Sequence, residues 1–237
     1  MSNSSIISIL AFGFVLGLKH AIEADHVAAV STIASEQRSL LGSSLVGALW
    51  GIGHTISLLA AAALIVLLHI EISDRVSLGL EFMVGLMLII LGVNALRKLL
   101  RGGHLHMHVH QHGGRQHVHP HIHDGRQPDG RSHHALKLQR RPLIIGMIHG
   151  LAGSGALMLL VLSTIRQPVV GLFYVLIFGV GSTGGMMLMS ALVGLPAKLT
   201  AQRFSRANAI LRAGSGAFSI VLGSIIVCQN GLVVLRG

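Results

Sequence analysis

The chain has 237 residues, of which 51% are hydrophobic and only 11% are charged, and its mean hydropathy is +0.71. So few charges exclude a disordered chain and disfavour a soluble domain, which ordinarily carries about 25% charged residues on its surface. The net charge of +10 comes from basic residues that lie between apolar runs, with only 4% aromatic residues, which favours membrane orientation over nucleic-acid binding. The single cysteine, Cys228, excludes a disulfide framework and a thiolate zinc site.

Six apolar stretches follow one another along the chain, each long enough for the roughly 20 apolar residues that a spanning helix needs. The first begins without a basic segment or a cleavage site, so we expect a retained span and not a signal peptide. The pattern lacks the ten-residue alternation of a barrel strand and predicts an all-α polytopic membrane protein with six transmembrane helices. The stretches cover residues 5–32, 43–69, 77–97, 143–165, 168–195 and 209–235.

An internal repeat relates the two halves of the chain. Three short elements recur in the same order: GLKH as GMIH, WGIGHT as FGVGST, and a pair of glycines spaced seven apart. The copies are Gly17–His20 with Gly146–His149, Trp50–Thr55 with Phe178–Thr183, and Gly85 and Gly92 with Gly216 and Gly223. Because each unit contains an odd number of spans, the second copy crosses the membrane in the opposite orientation to the first. The pattern therefore predicts a 3+3 inverted repeat of residues 1–97 and 143–237, an architecture typical of secondary transporters. The alternative is chance similarity among glycine-rich helices.

The basic residues are distributed unevenly between the two sides of the membrane. The loops after the first, third and fifth stretches hold twelve Lys and Arg, against three on the other side. The positive-inside rule therefore predicts that residues 98–142 form a cytoplasmic loop and that both termini lie outside.

The segment HAIEADH brings two histidines and two carboxylates into an apolar span. Ionisable groups at membrane depth are costly and are functional candidates by default. On a regular helix His20, Glu23 and His26 share one face, whereas Asp25 points elsewhere unless the helix is broken. Imidazole and carboxylate together suit nickel, cobalt or zinc. The alternative is a buried ion-pair network, for instance between Lys19 and Glu23.

Two further histidines lie within apolar stretches. His149 is the repeat counterpart of His20, and His54 lies at the matching Gly-x-Gly element, so both are predicted as metal ligands or pathway residues. A lone histidine in a span is otherwise a packing residue. His69 lies at a loop edge, where a structural role is favoured.

The loop 98–142 carries eleven of the sixteen histidines. Alternating His-x-His with Gly and Pro cannot pack a core, so we expect disorder without ligand. Dense imidazoles predict capture of nickel, cobalt, copper or zinc with little selectivity, the alternative being a solvated linker. The histidines predicted to capture metal are His104, His106, His108, His110, His112, His117, His119, His121 and His123.

Enzyme motifs are missing from the sequence. There is no P-loop, no HExxH and no nucleophile elbow, so the chain is not expected to be an enzyme or to hold a cofactor.

The segment GLKHAIEADHVAAVSTI resembles the signature helix of the nickel/cobalt transporter (NiCoT) superfamily, close to RHAxDADHxxA. The resemblance implies that His20, Asp25 and His26 recognise the metal. GIGHTISLL resembles a second family motif, LGHSTVV, whose histidine corresponds to His54. GMIHGLAGSGALMLLVL is closest to UreH-like six-span membrane proteins associated with urease, and the histidine loop is similar to that of nickel/cobalt exporters.

The sequence also departs from the family pattern. Lys19 stands where arginine is usual, and Glu23 where aspartate is usual. The segments HGLAGSGAL and GVGSTGGMM lack the carboxylates of the later family motifs.

Together these features predict a secondary transporter of Ni²⁺ or Co²⁺ in the cytoplasmic membrane, with His20, Asp25 and His26 as the core of the metal site. Glu23, His54 and His149 are predicted to contribute to it. Uptake is favoured, because the membrane potential assists an inward dication by about 4.6 kcal/mol per 100 mV. Efflux is the alternative within this class. A membrane metal chaperone or sensor and an intramembrane metalloenzyme are alternatives of other classes. Expected partners are the metal ion, the lipid bilayer and a metallochaperone such as a urease or hydrogenase accessory protein, but no nucleic acid.

Overall fold

The computed structural model describes residues 3–37, 39–68, 73–101, 106–112, 115–121, 140–152, 167–203 and 205–236. Apart from one β-hairpin, these residues form helices and short turns. The helices are α1 (Asn3–His20), α2 (Ala24–Ala34), α3 (Leu40–Leu68), α4 (Asp74–Leu100), α5 (Arg140–Ala152), α6 (Pro168–Arg203) and α7 (Ser205–Arg236). The hairpin strands are β1 (His106–His112) and β2 (Arg115–His121).

Four helical segments are long and apolar enough to cross a membrane: Leu40–Val66, Arg75–Leu100, Pro168–Thr200 and Arg206–Gly231. Ile6–His20 and Ala24–Ala34 meet the same criterion only as a pair, bent by 57° at the break between them. The described residues therefore carry four candidate spans, or five if the bent pair is one span. The predicted stretch 143–165 is described only as far as Ala152, so part of the six-span prediction lies outside the described residues.

The first predicted stretch is not one continuous helix. α1 ends at His20, and Glu23 adopts an extended conformation (φ −66°, ψ 151°) before α2 begins. The carboxylate of Asp25, in the first turn of α2, accepts a hydrogen bond from the His26 backbone N–H at 2.9 Å. Such an acidic side chain stabilises a helix N-terminus. The break redirects the chain, so that Asp25 faces the same region as the histidines on either side of it.

Glycines allow close contact between helices that are distant in sequence. A methyl group at Gly17 of α1 would overlap the carbonyl oxygen of Phe178 in α6, and one at Gly146 of α5 would overlap that of Trp50 in α3. The α4–α7 contact is made in the same way, by Gly85 against Gly223 and Gly92 against Gly216. Small residues at such contacts are typical of packing between membrane helices.

The short helix α2 is anchored to α7 by hydroxyl groups. Thr32 and Ser219 share a hydrogen bond of 2.6 Å, and the Ser219 hydroxyl also donates to the carbonyl of Ala28 at 2.9 Å. Both hydroxyl residues are buried. These bonds fix the orientation of the helix that carries Asp25 and His26.

Part of the histidine-rich loop forms a β-hairpin, a secondary structure that the composition does not predict. β1 and β2 pair antiparallel, with His106 opposite His121, His108 opposite His119 and His110 opposite His117. The physical reason lies in the alternation itself, because a period of two matches the pleat of a strand.

Candidate metal site

Four buried histidines from four helices meet beside the break between α1 and α2. His20 is 3% exposed, and His26, His54 and His149 are fully buried. The ring centroids of His20 and His26 lie 4.3 Å apart, and those of His26 and His149 lie 4.1 Å apart. His54 is 5.2 Å from His20 and 5.3 Å from His26. The side chains predicted from the HAIEADH segment, from α3 and from α5 are thus brought together.

Two groups of ligand atoms are compact enough to hold a metal ion. One consists of His20, His26 and His54, and the other of Asp25, His26 and His149; within each group the ligand atoms lie within 4.8 Å of one another. His26 belongs to both groups. The two ligand sets are therefore adjacent and share the His26 side chain.

Carboxylates orient three of the four imidazoles. Asp25 contacts Nδ1 of His26 at 3.1 Å and Nε2 of His149 at 3.0 Å, and Glu23 contacts Nδ1 of His20 at 2.9 Å. A carboxylate only accepts hydrogen bonds, so in a neutral ring the contacted nitrogen carries the proton and the other nitrogen keeps its lone pair. Carboxylates hold metal-ligating histidines in this manner in many proteins.

The nitrogens that these contacts leave free have no hydrogen-bond partner among the described residues. They are Nε2 of His20, Nε2 of His26 and Nδ1 of His149, and both ring nitrogens of His54 are in the same state. A buried polar atom without a partner costs about 1–3 kcal/mol. One nitrogen of a neutral His54 ring carries the proton, so at most four of the five nitrogens offer a lone pair, and a cation that takes these lone pairs would account for them.

Aromatic side chains enclose the cluster. Trp50 is fully buried and stacks on His26 with centroids 6.0 Å apart, and it lies 5.6 Å from His149. Phe178 lies 5.5 Å from the His20 ring. This apolar shell lowers the local dielectric constant and so strengthens the attraction between Asp25 and a cation. The sequence pattern does not mark Trp50 as part of the site, although the WGIGHT element includes it.

The remaining predicted residues have different positions. Glu23 pairs with His20, in place of the suggested pair with Lys19, and its side chain is 36% exposed. His69, His104 and His123 lie outside the described residues. The other seven loop histidines predicted to capture metal lie on the two hairpin strands: His106, His108, His110, His112, His117, His119 and His121.

The family model for the high-affinity nickel-transport protein, NicO, matches residues 6–197. The chain belongs to this nickel-transport family. It is 40% identical over 229 residues to the urease accessory protein UreH of Bacillus sp. (strain TB-90), covering 94% of this chain and 92% of that protein. It is 25% identical over 223 residues to the chloroplast protein FOR GROWTH AND FERTILITY 2 of Arabidopsis thaliana, covering 92% of this chain and 55% of that protein. No solved structure matches the chain.

Family membership confirms the resemblance on which the nickel interpretation rests. The chain is a nickel-transport protein of the membrane and not an enzyme, so an intramembrane metalloenzyme is no longer an alternative. Membership of this family implies a metal ion as the substrate.

Proposed function

We propose that the chain carries Ni²⁺ or Co²⁺ into the cytoplasm across the cytoplasmic membrane. The observation that carries this proposal is the set of buried, unpartnered imidazole nitrogens beside Asp25. Nitrogen and oxygen donors in one site suit these borderline ions. An ion in a low-dielectric span must exchange its water for fixed donors, and Asp25 supplies a negative charge that partly offsets the dication.

His26 is the residue through which we propose that the ion moves. In one position the ion binds Asp25, His26 and His149, and in the next it binds His20, His26 and His54. Retaining the His26 side chain as a ligand throughout avoids a fully desolvated, uncoordinated dication between the two positions. Glu23 orients His20 and is the more exposed of the two carboxylates of the site.

Inward movement needs no further source of energy. The membrane potential contributes about 4.6 kcal/mol per 100 mV for a dication moving inward. Efflux must overcome the same contribution and therefore needs a coupled ion. Efflux remains the second candidate, because the histidine-rich loop resembles that of nickel/cobalt exporters.

The proposed architecture is a six-span, 3+3 inverted repeat, and reciprocal contacts support it. Gly17 meets the Phe178 carbonyl, and their repeat counterparts Gly146 and Trp50 make the same contact. Thr55 and Thr183, which occupy equivalent positions, hydrogen-bond to each other at 3.2 Å. A two-fold relation between the halves produces this reciprocity, whereas chance similarity of glycine-rich helices does not.

We further propose that residues 98–142 lie in the cytoplasm and both termini outside, as the distribution of basic residues favours. There the loop captures metal and passes it to a metallochaperone such as a urease or hydrogenase accessory protein. The name of the 40% identical relative supports a urease connection. Labelling of a cysteine introduced near residue 120 tests the orientation, and reaction with an impermeant reagent in intact cells would contradict it.

Nickel flux into proteoliposomes, with an imposed potential of either sign, tests direction and site together. We expect influx that rises with an inside-negative potential and is lost in His20→Ala and His26→Ala. His69→Ala is the control and is expected to transport normally. Wild-type flux in both site variants, with the protein correctly inserted, would contradict the proposed function.

A further inference from the structure

A cavity of about 150 Å³ lies beside the metal site, between α2, α4 and α7. Asp25 forms part of its wall and is 19% exposed, whereas His26 and His149, which it contacts, are fully buried. The cavity therefore reaches this part of the site through the Asp25 carboxylate. The remaining lining residues are Glu81, Val84, Ile226, Gln229 and Asn230.

The lining is unusually polar for an apolar span. Glu81 is the sole acidic residue of the predicted stretch 77–97, and its carboxylate accepts a hydrogen bond from Nδ2 of Asn230 at 3.0 Å. Gln229 adds a second amide. One turn further along α4, Gly85 closes the contact with α7 against Gly223. The polar side chains thus line the cavity, which is a gap in the contact between α4 and α7.

The position of Glu81 indicates which side of the membrane the cavity serves. Glu81 lies seven residues after the start of α4 and nineteen before its end at Leu100, where the histidine-rich loop begins. At 1.5 Å per residue these separations are about 10 Å and about 30 Å along the helix. The cavity therefore belongs to the side opposite the loop, which is the outer side in the proposed orientation.

We propose that this cavity is the vestibule through which a hydrated divalent transition-metal cation reaches Asp25, and that Glu81 positions the cation there. This inference rests on the proposed function. The two carboxylates attract the dication, and the oxygens of the Asn230 and Gln229 amides replace part of its hydration shell. An acidic residue placed in an apolar span is costly and typically marks an ion pathway. Beyond Asp25, the buried nitrogens of His26 and His149 that lack partners receive the ion.

A purely structural role for Glu81 is the competing hypothesis, because its bond to Asn230 joins α4 to α7. Glu81→Gln separates the structural role from the cation-positioning role. Glutamine keeps the size of the side chain and an oxygen that accepts the Asn230 hydrogen bond, but it removes the charge. We expect the KM for Ni²⁺ influx into proteoliposomes to rise about tenfold at low ionic strength, with kcat changed less than twofold. The effect should shrink as salt screens the charge. An unchanged KM at low salt would overturn the proposal.

Thiol accessibility provides a second measurement that does not depend on flux. In a Cys228→Ser background, Ile226→Cys places a thiol on the cavity wall. Ile225→Cys is the matched control, because the adjacent Ile225 is 47% exposed but does not line the cavity. An impermeant thiol reagent applied from the side opposite the loop should modify position 226 and not position 225, and Ni²⁺ should protect position 226. Equal reaction at both positions, or no protection, would overturn the proposal.

The two proposals fail in different ways. If His26→Ala abolishes flux while Glu81→Gln keeps the wild-type KM, the vestibule is wrong and the transport site stands. If His26→Ala itself transports normally, the proposed function fails first.

Discussion

Histidine is concentrated in two regions of this chain, and the regions differ in how their histidines are distributed along the sequence. The site beside the α1–α2 break uses four histidines, each at most 3% exposed and each on a different helix. The loop 98–142 has eleven, arranged in part on a two-stranded hairpin in which three of the seven paired positions place histidine opposite histidine. Many ligands lie close in sequence in the loop, whereas the buried site gathers a few from distant segments.

The buried site has fewer imidazoles than the loop, but its rings are buried and three of them are held by carboxylates. In the buried site, carboxylates fix three of the rings, and the free nitrogens have no partner among the described residues. Their lone pairs are unsatisfied until a cation arrives. A histidine in contact with water already has a partner for each nitrogen, so a metal must displace that water and gains less. Hence we expect the buried site to determine transport and the loop to modulate it.

The largest effect is expected at His26, the ligand common to both groups. Removing a residue that merely orients a ligand typically costs 10–100-fold in metal affinity, so loss of this shared nitrogen should cost at least about 100-fold. Equilibrium binding of nickel to the purified His26→Ala protein measures the loss, with gel filtration as the check on folding. Affinity within threefold of wild type would place His26 outside the ligand set.

Asp25→Asn should have the next largest effect. The substitution keeps the shape and one acceptor oxygen but removes the negative charge and one of the two contacts to the imidazoles. We expect a 10–100-fold loss of nickel affinity, comparable to that of other residues that orient metal-ligating histidines. Glu23→Asp is the control, because it keeps the charge and should change affinity less than threefold. Equal affinities in the Asn variant and wild type would argue against a role for this charge.

How far the sequence predicts this site depends on the residue. His20 and His26 are identifiable from one short segment, because ionisable groups within an apolar run are informative by themselves. The helix break at residues 21–23 is not predictable, since no proline or glycine occurs there, and the break is what redirects Asp25. The approach of His149 depends on long-range packing of α5 on α3, which no local pattern encodes.

The fold is predictable in outline. The apolar stretches correctly locate α3, α4, α6 and α7, because continuous hydrophobicity over about 20 residues is typical of a membrane-spanning helix. The ends differ by several residues: α6 extends to Arg203 although Pro196 lies within it. The sequence pattern does not single out Glu81, because one carboxylate in a long apolar run has little weight in a hydropathy profile. Its position next to an α7 amide is visible only in three dimensions.

The close packing that assembles the buried site can be weakened without touching a ligand. In Gly146→Ala the added methyl group would overlap the Trp50 carbonyl, next to the ring that stacks on His26. Overpacking of this kind costs about 1–3 kcal/mol of stability. Gly184→Ala is the matched control, because no atom lies within 4 Å of its added methyl group. Thermal unfolding in detergent should show a lower midpoint for the first variant and an unchanged or higher midpoint for the second; the reverse order would contradict this packing.

The smallest effect is expected from removing the loop histidines. Deleting residues 104–134 removes all eleven and leaves residues 101–103 and 135–139 between α4 and α5. Those eight residues reach about 26 Å when extended. The deletion leaves every ligand of the buried site in place, so the maximal flux should stay within twofold of wild type.

The effect of the deletion at low metal concentration separates the two directions of transport. If the loop lies on the releasing side, as uptake with a cytoplasmic loop requires, the KM for external nickel is unchanged and only delivery to a cytoplasmic acceptor slows. If the loop lies on the collecting side, as in efflux, the KM for nickel presented on the loop side rises severalfold. Complete loss of flux in a correctly inserted deletion protein would mean that the hairpin histidines belong to the conduction pathway, and the distinction between the two regions would fail.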